Sequence, residues 1–188
     1  MIFLTTYLLN EGLTTADVSQ ICACFELRTI RKGEFFVKEN QKADYLGFVE
    51  TGLLQYFVLL PDGQEKTTYM ALSHTFMASL LALLSASPAA ENIRAVTDAT
   101  VWVITKTNLE KLRFEIQGFN AFYTHLLEWQ ICCIEKSRLD FLLLTAEQRY
   151  AKILEQEPHL LQQIPLQYLA SMLGVTPRHL SRIRKNIR

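Results

Sequence analysis

The sequence predicts an α+β protein in three parts: a Gly-punctuated β-roll or sandwich, one long helix, and a C-terminal helix-turn-helix. Three observations carry this prediction. Short β-rich bursts alternate with turn residues from Leu27 to Leu72; a helical apolar pattern runs from Phe119 to about Leu143 without Pro or Gly; and after Pro165 an apolar-stripe segment, Gly174 and a basic amphipathic segment follow in order.

Taken along the chain, Met1-Ile2-Phe3-Leu4-Thr5 lacks a basic region and soon meets Asn10 and Glu11, so it does not read as a secretory signal. Residues 14–25 read as a helix opened by Thr14 or Thr15. Strands are expected at Leu27–Ile30, Glu34–Lys38, Tyr45–Glu50, Leu53–Leu60 and Glu65–Leu72. Arg31-Lys32-Gly33, Thr51-Gly52 and Pro61-Asp62-Gly63 supply the turns. A helical stretch at Ser79–Ser85 precedes a strand pair, Ile93–Val96 and Thr100–Ile104, separated by the Asp98-Ala99 turn. Leu109–Phe114 reads as a short helix.

The long helix carries two apolar stripes. Phe119, Phe122, Leu126, Trp129 and Cys133 have the three-and-four spacing of a coiled-coil seam and are the expected dimerisation residues. Tyr123, Leu127, Ile131 and Ile134 run alongside. One face on the chain's own β domain and the other on a second copy satisfies both stripes; packing of both within one chain is the alternative.

Thr145-Ala146-Glu147-Gln148 fits a capping box and marks a new unit. The expected division is therefore a sensor roll over 1–116, a dimerisation helix over 117–144 and a helix-turn-helix domain over 145–188. A helix from Ala146 to Glu155 ends before Pro158, and Pro165 opens the first helix of the terminal pair. In the second, running to Arg188, Thr176 is the N-cap and Pro177 takes the first helical position. At about 100° per residue, Leu180, Ile183 and Ile187 fall on one side, while Arg178, Ser181, Arg182 and Lys185 fall on the other. A plain core hairpin with a basic, solvated end would show the same two helices.

Charge separates the two readings. The chain has 19 Lys and Arg against 19 Asp and Glu. Residues 146–188 hold seven of those cations and three of the acids, leaving twelve against sixteen in residues 1–145. A basic module on an acidic body suggests a polyanion partner at one end only.

At 188 residues and 49% hydrophobic content the chain can bury a sizeable core. No apolar run reaches membrane-spanning length, the richest being Phe76–Leu84; no membrane partner is expected, and a cytoplasmic location is the default. Cys22, Cys24, Cys132 and Cys133 lack zinc-pair spacing and read as small apolar filler in a reducing compartment. An iron–sulfur or redox role would need the two distant pairs to meet. His74, His125, His159 and His179 are scattered, with no nucleophile–base set, so the chain does not read as an enzyme.

This order of elements resembles the cyclic-AMP receptor protein and fumarate-nitrate regulator (Crp/Fnr) family of bacterial transcription factors. The resemblance covers nearly the whole chain. It is most specific over Ile164–Pro177 and Leu180–Lys185, and extends to Thr145–Tyr150 and the Gly52 and Gly63 turns. It implies a cyclic-nucleotide-binding-type β-roll, a homodimer, and two recognition helices entering successive major grooves of double-stranded DNA, with half-sites about 34 Å apart. By position, Arg178, Ser181 and Arg182 would read base edges, and Thr176, His179 and Lys185 would contact phosphates. His179 lies at the helix flank, which suits a phosphate or structural role, and Arg184 points between the two faces. The family also implies RNA polymerase as a partner and a small-molecule effector for the roll.

The chain departs from the family where that effector would sit. Cyclic-nucleotide-binding members present backbone N–H groups and a glutamate from a short helix and pair the phosphate with an arginine. Here the segment is Phe76-Met77-Ala78-Ser79-Leu80-Leu81-Ala82, without Gly-Glu, and Ser85–Ala90, Ala89 included, has no arginine. Arg94 is the nearby basic residue, at a strand position outside the motif. An unpaired phosphate in an apolar pocket is costly, so the sequence argues against cyclic AMP bound in the usual way and names no cofactor. It also lacks an N-terminal cysteine cluster, and no wing hairpin is expected after Arg188. The competing reading is a ligand- or protein-binding roll that does not bind DNA.

Overall fold

The computed structural model describes residues 1–187. The chain divides into two compact units, Met1–Tyr56 with Ala71–Leu127, and Phe57–Met70 with the residues from Glu128 onward.

The first unit opens with a helix the sequence reading had not anticipated, α1 (Ile2–Asn10). Leu4 and Leu8, one turn apart, are fully buried, and Tyr7 meets Phe48, Phe76 and Phe122 edge-on. In α2 (Thr15–Cys22) the Thr14 hydroxyl accepts from the Asp17 N–H at 3.1 Å, the cap that the sequence marks.

The strands β1 (Glu26–Ile30), β2 (Phe35–Val37), β3 (Tyr45–Thr51), β4 (Leu54–Leu59), β5 (Glu65–Ala71), β6 (Phe76–Met77), β7 (Asn92–Ala95) and β8 (Ala99–Thr105) form two four-stranded sheets. Their orders are β1-β8-β3-β6 and β2-β7-β4-β5. The two-residue β6, paired to β3 at Gly47 and Phe48, was not anticipated. The expected strand pair of residues 93–104 is corrected: β7 and β8 exist, but they lie in different sheets. The turn before Ala99 carries the chain from one sheet to the other, with Val96 N–H donating to Leu53 O at 2.8 Å. Gly52 makes that crossing possible. Its φ is +109°, and a Cβ there would lie 2.7 Å from Ala99 Cα.

The interior of the roll is a continuous apolar cluster that includes Val49, Leu54, Tyr56, Met77, Ile93 and Val101. A second cluster joins α1 and α2 to Phe48, Leu83 and Ile104 and to the start of the long helix. Around these lie α3 (Leu80–Ser85) and α4 (Lys106–Glu115), the latter capped by Thr105, which accepts from Asn108 N–H at 3.3 Å.

The long helix, α5 (Gln117–Leu143), starts slightly earlier than expected and takes in Gly118. Its first stripe requires a correction. Phe119 and Phe122, expected at the dimer seam, are 1% and 7% exposed within their own unit, because Tyr7 and Phe76 pack against Phe122 and the α1–α2 cluster closes over both. Leu126 and Cys133 are half-buried, and Trp129 is exposed. On the second stripe Tyr123 is buried and Leu127 half-buried, whereas Ile131 and Ile134 are exposed.

In the second unit, α6 (Ala146–Gln156) begins with the complete capping box: the Thr145 hydroxyl accepts from Gln148 N–H, and the Gln148 side chain accepts from Thr145 N–H. A short α7 (Pro158–Gln163) follows, which was not anticipated. Then come α8 (Leu166–Met172) and α9 (Pro177–Asn186). The expected last residue of the recognition helix, Arg188, lies outside the described residues. No helix among the described residues is long and apolar enough to cross a membrane.

Candidate nucleic-acid interface

The turn between α8 and α9 is closed by its own backbone. Val175 N–H donates to Ala170 O at 3.0 Å and Gly174 N–H to Ser171 O at 3.1 Å, the crossed pattern that ends a helix on a left-handed residue. Gly174 supplies that conformation, φ +72°, and a Cβ there would press on Phe141 Cζ at 3.1 Å. Thr176 then caps α9, its hydroxyl accepting from His179 N–H at 3.2 Å.

Helical periodicity sorts the side chains of α9. Leu180 and Ile183 are buried and Ile187 half-buried, while Thr176, Arg178, His179, Arg182 and Lys185 are exposed. Two residues differ from a simple outward projection. Ser181 is half-buried and its hydroxyl donates to Pro177 O at 2.9 Å, a local bond that leaves its oxygen lone pairs free. His179 Nε2 lies 3.1 Å from Glu147 Oε1, so its ring is already engaged by α6. Arg184, between the faces, is half-buried, and its Nε has no hydrogen-bond partner among the described residues.

Arg178, Arg182, Thr176, His179 and Asn186 line a cleft of about 290 Å³ with Ile183 and Glu147. Glu147 is the carboxylate in it. Its pKa is held below the usual carboxylate value by a hydrogen bond to its own backbone first, and then by those to His179 and Thr145.

A bracing set that the sequence reading missed holds the turn. Lys66 Nζ donates to Ser171 O at 2.6 Å, and Thr67 N–H donates to Ser171 Oγ at 2.9 Å. Arg149 donates to Leu173 O at 2.7 Å and to Leu144 O at 2.5 Å. Lys66 Nζ and Arg149 Cζ stand 5.5 Å and 4.4 Å from the Phe141 ring. Burial, and secondarily the charge of Arg149, pushes the Lys66 pKa down. No sequence signal singled out Lys66. It lies on a strand edge far from Ser171 in the chain, and only tertiary structure joins them.

The segment expected to hold an effector is apolar except for Ser79. Phe76 opens β6, Met77 and Ala89 are buried, Ala78 and Leu80 are half-buried, and Leu81 is exposed. Met77, Ala82 and Ala89 belong to the same interior cluster as Phe36 and Tyr56, and Ser79 is the buried polar residue of the segment. Both backbone groups of Ala89 are engaged, its N–H with Gln41 O and its C=O with Asn40 N–H, each at 2.8 Å. Arg94 cannot serve in place of the missing arginine. Ile93 and Ala95 beside it point into the interior, so strand alternation turns Arg94 away, where its Nη2 donates to the buried Gln55 at 3.0 Å. These residues do not fit a cyclic nucleotide's phosphate and ribose.

All four cysteines are free thiols, Cys22 buried and Cys132 exposed. Among the described residues no group of three or more His, Cys, Asp or Glu is placed to hold a metal ion.

Residues 27–115 match the cyclic nucleotide-binding domain family. No curated protein matches the sequence. Among solved structures, FixK2 from Bradyrhizobium japonicum is 20% identical, with 87% of this chain and 84% of that one covered and a TM-score of 0.74. The catabolite activator protein of Thermus thermophilus is 21% identical over 96% of this chain and 86% of that one, with a TM-score of 0.61. A Crp/Fnr-family transcriptional regulator from Eubacterium rectale is 18% identical over 95% and 85%, with a TM-score of 0.66. Residues 27–115 thus match a cyclic nucleotide-binding domain, and over most of its length the chain shares the fold of these solved structures.

Proposed function

We propose that this chain is a sequence-specific DNA-binding transcription regulator of the Crp/Fnr type that acts as a homodimer. Arg178, Ser181 and Arg182 read base edges, and Thr176, His179 and Lys185 meet phosphates. The observation that carries the reading is the sorting of α9, with Leu180 and Ile183 buried and Arg178, Arg182 and Lys185 exposed on a helix held by its cap and its glycine turn. The Eubacterium rectale structure of similar fold is described as a transcriptional regulator of the Crp/Fnr family, which supports the same conclusion. The roll does not take cyclic AMP in the usual way: Met77, Ala82 and Ala89 belong to its apolar interior, and Ser85–Ala90 carries no arginine to pair with a phosphate.

The dimer forms along α5 on the face that the chain's own core leaves uncovered. Leu127, Ile131, Ile134 and Leu142 fall within roughly 80° of one another around the helix. The last three are 58%, 49% and 68% exposed. A second copy laid on this stripe would bury it in the manner of a coiled coil.

Selection of bound fragments from random duplex DNA, followed by affinity measurements on two variants, tests the DNA-binding reading. Arg182→Ala is expected to cost about 1–3 kcal/mol at the selected site and to relax preference at one base position. Lys185→Ala is expected to weaken all sequences alike and to reduce the log–log salt slope by roughly 0.9. Unchanged affinity in both variants rejects the assignment.

A further inference from the structure

We infer that Lys66 on β5 and Arg149 on α6 are positioning residues for DNA binding: gathered on the Phe141 ring, they hold the helix-turn-helix at one attitude to α5 and so set which half-site spacing the dimer accepts. The inference rests on the proposed DNA-binding dimer and adds the residues that fix its operator geometry.

Only Leu144 and Thr145 separate the last residue of α5 from the first of α6. Thr145 is extended, with φ −67° and ψ 165°, so the helix is broken there. Rotation about this joint would carry α9 bodily, without disturbing any contact inside the helix-turn-helix. Something must therefore bridge the joint if α9 is to present its face at a fixed place.

Three side chains do so. From α6, Arg149 donates to Leu144 O at 2.5 Å and to Phe141 O at 3.4 Å on one side, and to Leu173 O at 2.7 Å on the other. Lys152, also on α6, pairs with Asp140 of α5. Lys66 comes from β5, an edge strand of its sheet. Its Nζ donates to Ser171 O at 2.6 Å, and the next N–H along, that of Thr67, donates to Ser171 Oγ at 2.9 Å. The bonds from Lys66 and Arg149 to carbonyls at the end of α8 are charge-assisted. Both cations stand over the Phe141 ring in the last turn of α5, which also presses on Gly174. Phe141 directly precedes Leu142 of the proposed dimer stripe. All these residues belong to one compact unit. None of Lys66, Phe141 and Arg149 lines the cleft of Arg178 and Arg182, so they act on DNA through the placement of α9 and not by contact.

A dimer gains from its second half-site only as far as its reach matches the span, and a loosened joint spreads that reach. The preferred spacing then binds less tightly and a wrong spacing is penalised less.

The test measures the full chain, Lys66→Met and Lys66→Arg on duplexes that carry the selected half-site alone, two copies at the selected spacing, or two copies with one base pair inserted between them. Methionine keeps an apolar stem over Phe141 and removes the cation. Lys66→Met is expected to bind the single half-site within about twofold of wild type, to bind the correctly spaced pair about tenfold more weakly, and to lose most of the wild-type penalty for the insertion. Lys66→Arg, which restores a donor for Ser171 O, is expected to recover both. Equal weakening on the single and paired sites means that Lys66 only stabilises the turn, and it overturns the inference while leaving DNA binding intact; so does wild-type behaviour of Lys66→Met. Absence of salt-sensitive DNA binding by the wild type overturns both readings together. If urea unfolding shows that Lys66→Met does not fold, Ser171→Ala decides the matter by the same comparison, since it keeps Lys66 and removes only the hydroxyl that accepts from Thr67; a smaller change in the same direction is expected.

Discussion

The early and later turns of α5 both carry apolar side chains at helical spacing and have opposite fates. Phe119, Phe122 and Tyr123 are sealed into the core, while Ile131, Ile134 and Leu142 on the same helix face solvent. Apolar side chains at helical spacing state only that a face must be covered; what covers it depends on the rest of the chain. The α1–α2 cluster, Phe48 and Phe76 cover the early turns. The exposed stripe further on is the one proposed for association, and variants in each region should separate folding from assembly.

The largest effect is expected in the buried region. Phe122→Ala removes a ring that touches Tyr7, Phe76 and Phe119 and leaves a cavity in a closed cluster. Large-to-small changes of this kind cost about 3–5 kcal/mol. Urea unfolding of the variant should show that loss. A change under about 1 kcal/mol would mean that the early turns of α5 are not part of the core.

A smaller free-energy effect with a larger functional reach is expected further along. Glu at both Ile131 and Ile134 leaves the core untouched and places charge on the exposed stripe. Sedimentation should then report a monomer, and binding to a two-half-site DNA should weaken by about a hundredfold through lost bivalency while half-site binding is unchanged. A dimer that survives both substitutions would put the association surface elsewhere.

Much of this fold is legible in the sequence because its signals are local. The caps at Thr14, Thr145 and Thr176 and the turns at Gly52, Gly63 and Gly174 act within a few residues, and the helix starts and strands fall where they predict. Helix α9 is legible for the same reason: Leu180, Ile183 and the exposed arginines sort by periodicity alone. What escaped depends on distance. The partition of Ile93–Val96 and Thr100–Ile104 between two sheets is fixed by the approach of Gly52 to Ala99, and the His179–Glu147 pair joins two helices that the sequence does not relate. Helix α1 escaped for another reason: Leu4, Tyr7 and Leu8 have helical spacing, but no cap or polar face marks them as amphipathic. By spacing alone the first set of α5 positions reads as the dimer seam, because it alternates by three and four. Regularity does not reveal which face the chain's own core uses.

Trp129 sharpens that last distinction and should show the smallest effect. It belongs to the first stripe by spacing, yet it is 54% exposed rather than buried with Phe119 and Phe122. Around the helix it stands roughly 180° from the middle of the Leu127–Ile131–Ile134–Leu142 arc. A partner laid on that arc does not reach it, and the chain's own core does not cover it. Trp129→Ala should therefore change unfolding free energy by less than about 0.5 kcal/mol, the usual range for an exposed position away from special features, and should leave the sedimentation coefficient of the dimer unchanged. Dissociation by Trp129→Ala, with Ile131 and Ile134 tolerant of charge, would restore the first stripe as the seam and make Phe119 and Phe122 the buried end of a face whose exposed end pairs.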